Sequence, residues 1–418
     1  MIKSILTTIL LLFNLLVLPQ HITLDLCLEK TRENYPLIKQ YGLIEKTLEY
    51  NLSNAGKAYL PQLSLNARAT YQSDVVSLPA SIPIPIPELS KDQYAATIDV
   101  NQVLWDGGVT SAQKVNIKAS AAAEKQKLEI DLFSLNERVV NLFFGILLLN
   151  EQISQTAMLH DELQRNLLKV ESLVQNGIAS KSDHDLIQVE LLQLKQQELD
   201  LSAKRKSYFA MLSAFTKLSI TENSIFEKPL LPLFSNQEEN KRPEMYFFNA
   251  QSDVLNSQRS LIQTANLPKL GLFVQGGYGK PGLNMLSNEF STLYIGGVRL
   301  SWNISGYYAQ KNNLEKINLG IKQIETSKET FLFNTSLLTE QQKNEIERLK
   351  NVMQNDQEII RLRSSIVGSS KAKVENGTLT VTELLRDINA ENTAKQTSIM
   401  HEIQLLMTAY QYKLTLNQ

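Results

Sequence analysis

The 418-residue sequence has little cysteine, histidine or net charge. Cys27 is its only cysteine, which excludes an intrachain disulfide bond. The 42 Lys and Arg residues balance 43 Asp and Glu residues, so electrostatics give no reason to expect nucleic acid as a partner. The 4 histidines are scattered without the spacing of metal ligands. We therefore expect neither a metal ion nor a cofactor.

Proline and glycine are also scarce, and where they are missing the sequence predicts long helices. From Val109 to Gln175 there is no proline, and the one glycine before the turn is Gly145. Most other residues are good helix formers such as Leu, Gln, Glu, Lys and Ala. A helix over this stretch would be roughly 100 Å long. That length is typical of coiled coils and of tubes that cross the periplasm.

The N-terminus has the pattern of a leader. Lys3 precedes an apolar run from Ile5 to Leu18, which is too short to span a bilayer comfortably and suits a signal peptide. We assign residues 1–20 to a signal peptide. Cys27 follows without the small residue that lipid attachment needs, so we expect it to be a buried structural cysteine on the first helix.

Two stretches alternate between apolar and polar residues, and each predicts a β-hairpin, at 62–105 and 269–304. A side-chain period of two over about ten residues indicates a strand of the length that crosses a membrane at a tilt. One side of each strand is rich in Leu, Val, Ala and Tyr. The polar side is expected to face a wet barrel lumen with Arg68, Asp99, Asn101, Gln275 and Arg299.

The two hairpins belong to a tandem repeat. Pro61 and Pro268 are separated by 207 residues, whereas Gly177 and Gly377 are separated by 200, so the length difference falls within the hairpins. We predict two structural repeats, 21–217 and 241–418, joined by a connector at 218–240. Each repeat should contain a short helix, a hairpin, a long helix, a turn (176–182 or 376–382) and a second short helix.

Four strands per chain do not close a transmembrane barrel, because single-chain barrels start at about eight strands. Open strand edges are excluded from lipid, so several chains would have to share one barrel. A trimer would supply about 12 strands. A soluble sheet that caps a coiled coil is the alternative explanation of the alternation, but it leaves the leader unexplained.

Six sequence motifs carry a family resemblance. They are ITLDLCL followed by NYP near the N-terminus, AYLPQLSL and ANLPKLGL before the two hairpins, VLWDGG after the first hairpin, and the turns QNGIASKSDHD and ENGTLTVTELLRD. In this order they resemble the TolC-like outer-membrane efflux proteins, or outer-membrane factors, over nearly the whole mature chain. The resemblance implies a mainly α fold with a membrane β-barrel portion. Long antiparallel helical hairpins would form a periplasmic α-barrel, and the four transmembrane strands of each chain would share a trimeric barrel of about 12 strands.

The resemblance also implies where the functional residues lie. The turns at Asn176, Gly177, Asn376 and Gly377 would dock a periplasmic adaptor. The residues after them would form the periplasmic aperture: Ser182, Asp183, Glu383, Arg386 and Asp387. Arg386 stands where the best-known family pattern has an acidic residue, and it is expected to pair with Glu383 or Asp183. The alternative is that these residues are solvated charges and helix caps.

The implied function is that of a trimeric outer-membrane exit duct in a tripartite efflux or type I secretion system. Such a duct is passive and is not an enzyme. Its partners would be a periplasmic adaptor (membrane fusion protein), an inner-membrane pump of the RND or ABC type, and outer-membrane lipid in a Gram-negative bacterium. The alternative is a periplasmic coiled-coil adaptor or scaffold without its own pore. Drugs, metal ions and proteins all stay open as cargo.

Overall fold

The computed structural model describes residues 21–76, 89–233 and 240–417. The predicted signal peptide, 1–20, lies outside the described residues, as do most of the first hairpin loop, 77–88, and part of the connector, 234–239. Within the described residues the helices are α1 (Leu24–Asn34), α2 (Gln40–Gly56), α3 (Val109–Gln175), α4 (Lys181–Thr216), α5 (Pro243–Ala265), α6 (Tyr307–Glu375) and α7 (Val381–Leu416).

The described strands are β1 (His21–Ile22), β2 (Gln62–Tyr71), β3 (Asp92–Trp105), β4 (Ile225–Phe226), β5 (Lys269–Lys280) and β6 (Ser291–Ser301). Strands β2, β3, β5 and β6 form a four-stranded antiparallel sheet in that order. The predicted fold class, mainly helical with four long strands per chain, is confirmed. Strands β1 and β4 form a separate parallel pair, which is too short to produce a periodic sequence signal.

The long helices α3 and α6 have 67 and 69 residues, and each is followed by a helix of 36 residues. Both short helices begin slightly earlier than predicted. Lys181 starts α4 and Val381 starts α7, so the last two residues of each predicted turn belong to a helix.

The first short helix that the repeat predicts is divided into two helices, α1 and α2. Tyr35 has an extended backbone before Pro36, as expected for a residue that precedes proline, and this ends α1 at Asn34. A short 3-10 helix, Pro36–Lys39, then leads into α2. In the second repeat, Pro243 is the first residue of α5, where proline is tolerated, so that helix is continuous.

The chain packs as two compact units that cut across the predicted repeats. The first unit contains the chain up to Lys39, Leu128–Pro243 and the chain from Glu329 onward. One of its cores surrounds the apolar part of α3, where Phe143, Phe144 and Ile146 are fully buried. An 18-residue window of α3 is apolar enough to cross a membrane, but 56% of that window is buried inside the protein.

Cys27 lies in the same core, beside Ile22 and Leu24. Its side chain is buried and free, and burial raises the pKa of the thiol to about 12. The expectation of a buried cysteine is confirmed.

The second unit contains Gln40–Lys127 and Glu244–Lys328, and therefore holds the four-stranded sheet and the adjoining helices. Polar contacts join its helices. Ser257 Oγ donates to Asn116 Oδ1 at 2.9 Å, and Arg259 Nη2 donates to Asn318 Oδ1 at 2.6 Å. Lys125 and Glu45 form an exposed ion pair at 2.8 Å.

Candidate functional site

The register of the sheet places the five predicted lumen residues on one face. They are Arg68, Asp99, Asn101, Gln275 and Arg299. Directly paired residues of neighbouring strands point to the same side, and Asp99 pairs with both Ser64 and Gln275. The alternation along each strand then puts every second residue on this polar face. That the face lines a lumen stays a prediction.

The opposite face of the sheet is apolar and open to the surroundings. Ten of its large side chains are between 41% and 83% exposed. They are Leu63, Leu65, Tyr71, Ile98, Leu272, Val274, Tyr278, Tyr294, Val298 and Leu300. So large an exposed apolar patch marks a surface that another protein or a lipid covers. A band of this kind is what a lipid-facing barrel wall requires.

A belt of hydrogen bonds crosses three strands on the polar face. Asn66 Nδ2 donates to Asp99 Oδ2 at 2.6 Å, and Gln275 Nε2 donates to Asp99 Oδ1 at 2.5 Å. Thr97 Oγ1 donates to Asp99 Oδ2 at 3.3 Å. The carboxylate of Asp99 is therefore stabilised by neutral donors and not by a cation.

A second carboxylate fixes the junction between strand β3 and helix α3. Asp106 accepts hydrogen bonds from Tyr59 Oη at 2.8 Å, Gly108 N at 2.9 Å and Thr110 N at 2.7 Å. Burial of Asp106 opposes ionisation, but the bonds from Thr110, Tyr59 and Gly108 outweigh it and lower the pKa of this carboxyl. The VLWDGG motif did not lead us to predict that Asp106 caps α3, although an Asp just before a helix is a capping signal.

Each hairpin of helices ends in the same glycine turn. Gly177 and Gly377 have φ values of 71° and 69°, which favour glycine. Ile178 N donates to Leu173 O at 2.8 Å, and Gly177 N donates to Val174 O at 3.0 Å. This pair of bonds is a Schellman motif, and the second turn repeats it.

The asparagines of both turns cap the helices they follow. Asn176 Nδ2 donates to Ser172 O, and Asn376 Nδ2 donates to Ala372 O, each at 2.9 Å. The two tips line one shared depression, to which Ile178, Asp183, Leu379 and Glu383 contribute. The turns at Asn176-Gly177 and Asn376-Gly377 are thus built alike and lie side by side.

The aperture residues Asp183 and Glu383 sit in capping boxes. Asp183 Oδ2 accepts from Ser180 N at 2.9 Å and from Ser180 Oγ at 2.7 Å, while Asp183 N donates to Ser180 Oγ at 3.2 Å. Glu383 makes the same three bonds with Thr380. The bonds from the Thr380 backbone and side chain lower the pKa of Glu383. Ser180 is the N-cap residue of α4.

Arg386 pairs with neither of the expected carboxylates. Its ion pair is with Asp387, at 3.9 Å between Nε and Oδ1, and the Arg386 side chain is 74% exposed. The expected ion pair with Glu383 or Asp183 is not present within the described chain, where both carboxylates are held in capping boxes. Asp387 also accepts from Ser370 Oγ at 2.6 Å and so links α7 to α6.

Comparison with known proteins finds one family model that matches the first part of the chain. Residues 27–216 match the family model described as outer membrane efflux protein. No curated protein matches the sequence.

Solved structures match over almost the whole chain. The outer membrane protein VceC of Vibrio cholerae is 14% identical, with a TM-score of 0.66 and coverage of 94% of this chain and 94% of that chain. The CmeC outer membrane channel of Campylobacter jejuni is 13% identical, with a TM-score of 0.67 and coverage of 94% and 85%. The MtrE outer membrane channel of Neisseria gonorrhoeae is 14% identical, with a TM-score of 0.66 and coverage of 94% and 88%.

The resemblance to the TolC-like outer-membrane efflux proteins is thereby confirmed. The family model covers the first repeat, and the likeness in fold extends through the second.

Proposed function

We propose that this protein is the trimeric outer-membrane exit duct of a tripartite efflux or type I secretion system in a Gram-negative bacterium. The four-stranded sheet carries the proposal. In the described part of the chain, the outer edges of β2 and β6 have no strand partner, while one face of the sheet is apolar and exposed. Unpaired backbone groups are not tolerated in lipid, so neighbouring copies complete the edges. Three copies give a barrel of about 12 strands.

Exposed apolar residues on the helices support the same assembly. On α4, Leu186, Val189 and Leu199 are 38%, 50% and 60% exposed. On α6, Ile359, Leu362 and Ile366 are 46%, 48% and 42% exposed, at the spacing of one helix face. In the trimer these faces pack against neighbouring copies and form the periplasmic α-barrel.

We assign the two glycine turns to docking with a periplasmic adaptor that connects the duct to an inner-membrane pump of the RND or ABC type. The turns present backbone and side chains at a defined geometry, because each is fixed by a Schellman motif and a capping box. Ser182, Asp183 and Glu383 then lie in the first turn of their helices, and Arg386 and Asp387 lie in the second turn of α7. Three copies of each surround the aperture in the proposed trimer.

Light scattering from the purified protein in mild detergent tests the assembly. The measured mass of the protein is expected to equal three copies of the chain, because the outer edges of β2 and β6 are completed only by neighbouring copies. A folded monomer with native helix content in the same detergent would contradict the shared barrel.

A further inference from the structure

A cavity of about 330 Å³ lies where the polar face of the sheet meets the start of α3. Its lining includes the polar-face residues Asn101, Lys269, Phe273 and Arg299, together with Gln102, Leu270 and Leu272 of the opposite face. Asp106 and Thr110 close the end next to the helix. All of these residues belong to the second unit.

Arg299 and Phe273 form the centre of this cavity. The guanidinium carbon of Arg299 lies 4.7 Å from the centroid of the Phe273 ring, within the range of a cation–π contact. Gly297 makes the arrangement possible, because a Cβ at this position would lie 3.2 Å from Phe273 Cε1. A guanidinium that stacks on a ring keeps its in-plane N–H groups free to donate hydrogen bonds. Two of these groups can bind an oxyanion in a bidentate geometry.

Lys269 adds a second cation beside Arg299. Gly271 is directly opposite Arg299, and Lys269 is directly opposite Ser301, so the two cations are diagonal neighbours on one face. Among the described residues, no carboxylate lies within ion-pair distance of Lys269 or Arg299. The acidic residue of the lining, Asp106, accepts hydrogen bonds from Tyr59, Gly108 and Thr110.

We propose that Lys269, Arg299 and Phe273 form a binding site for an organic anion, namely a sulfonate, carboxylate or phosphate attached to a flat apolar group. The cations hold the anionic group, and the Phe273 ring with its glycine neighbours accepts the flat part. This rests on the proposed function, since it names a class of cargo for the duct. The site gives the wall of the channel a preference for organic anions that does not depend on the pump.

Naphthalene-1-sulfonate is a suitable probe, and the full-length protein in planar bilayers is the system. The probe is expected to reduce the wild-type current in a concentration-dependent way. Arg299→Gln should raise the probe concentration that blocks half of the current about tenfold, because the bidentate, charge-assisted hydrogen bonds are lost. Phe273→Leu should weaken block by naphthalene-1-sulfonate but leave block by methanesulfonate unchanged.

Lys280→Gln is the matched control for Arg299→Gln, because it removes a cation from the opposite face of the same sheet, at the end of β5. Block that is equal in wild type and Arg299→Gln, or that falls as much in Lys280→Gln, would overturn the site. If the wild type passes no current, the proposed function fails, and calorimetric titration of the detergent-solubilised protein with the same probe still decides the site. There, heat of binding that is present in wild type and lost in Arg299→Gln supports the site, and its absence in wild type overturns it.

Discussion

Asp106 joins three parts of the second unit through one carboxylate. Tyr59 reaches it from the 3-10 helix Lys57–Tyr59, which follows α2. Gly108 reaches it from the turn before α3, and Thr110 from the first turn of α3. Gly107 and Gly108 have φ values of 71° and 86°, so the turn that presents these N–H groups favours glycine. In the motif VLWDGG, the two glycines thus allow the turn, and Asp106 accepts the hydrogen bonds that cap α3.

Asp106→Asn is therefore expected to destabilise the protein by about 1–3 kcal/mol at pH 7, since hydrogen bonds to a charged acceptor are replaced by weaker ones. The folded-state pKa of Asp106 is lowered, so its stabilising effect is present at neutral pH and is lost as the pH falls through that pKa. The difference in Tm between wild type and variant, followed by circular dichroism in detergent, should shrink below about pH 4. Equal Tm values at pH 7 would refute the role.

Gly177 and Gly377 are expected to be sensitive for a different reason. A Cβ would meet nothing within 4 Å at either position, so space is not the constraint. Both residues have positive φ, where a side chain costs about 1–2 kcal/mol. Gly177→Ala and Gly377→Ala should speed amide hydrogen exchange at the tips.

Gly368→Ala provides the control for these tip variants. Gly368 lies within α6, has open space around it and has no positive φ. Alanine there should stabilise the helix by up to about 1 kcal/mol and slow local exchange. If all three variants behaved alike, the tip turns would not depend on left-handed glycine.

At the scale of elements, the sheet shows what alternation predicts and what it leaves open. The period of two identified four strands and the residues that share each face, because side-chain direction follows from strand geometry alone. It did not supply the pairing of β3 with β5, which depends on contacts between residues about 180 positions apart, such as Tyr94 with Lys280. The alternation also does not show whether an apolar face is buried, since an exposed apolar face and a buried one have the same sequence pattern.

The loops between the paired strands lie at one end of the sheet. Ser90 N, in the described part of the first loop, donates to Asn288 Oδ1 in the second at 2.9 Å. We predict that the loops at 74–91 and 280–290 both face the cell exterior. Short epitope tags inserted after Asp74 and after Asn284 should both be labelled on intact cells. Labelling of one loop without the other would contradict the arrangement.

The tips show which contacts of charged residues a sequence does not specify. Ser and Thr three residues before Asp183 and Glu383 form capping boxes, so local hydrogen bonds fix both carboxylates. The resemblance placed them at an aperture, but partners such as Asp387 for Arg386 depend on side-chain geometry that no sequence spacing specifies. The position of these residues around a pore is therefore still a prediction.

The variant Asp183→Asn with Glu383→Gln separates capping from charge. Amide oxygens accept the same hydrogen bonds, so the turns are expected to keep their structure while the aperture loses its negative ring. In single-channel recordings we expect altered cation selectivity and weaker block by divalent cations added from the periplasmic side. Ser180→Ala with Thr380→Ala is the control, because it weakens the caps but keeps both charges. Selectivity and block that match wild type in the first variant would assign these carboxylates to capping alone.

At the scale of the whole molecule, the duplication and the packing follow different boundaries. Each compact unit takes segments from both repeats, since the long helices α3 and α6 run through both units. A sequence repeat records how the chain arose, whereas a packing unit records which faces are buried together. This is why the boundary between the two repeats, at the connector, could be predicted from the sequence. The boundary between the two packing units, which falls within the helices, could not.

Conductance is the measurement that tests the central claim most directly. The account predicts that the purified full-length protein forms open or gated channels in planar bilayers without any partner, because three four-stranded sheets close one water-filled barrel. It predicts further that the current disappears when the sheet is removed by deleting both hairpins, 62–105 and 269–304. An absence of conductance from trimeric wild-type protein would contradict the account, and would favour a periplasmic scaffold without its own pore.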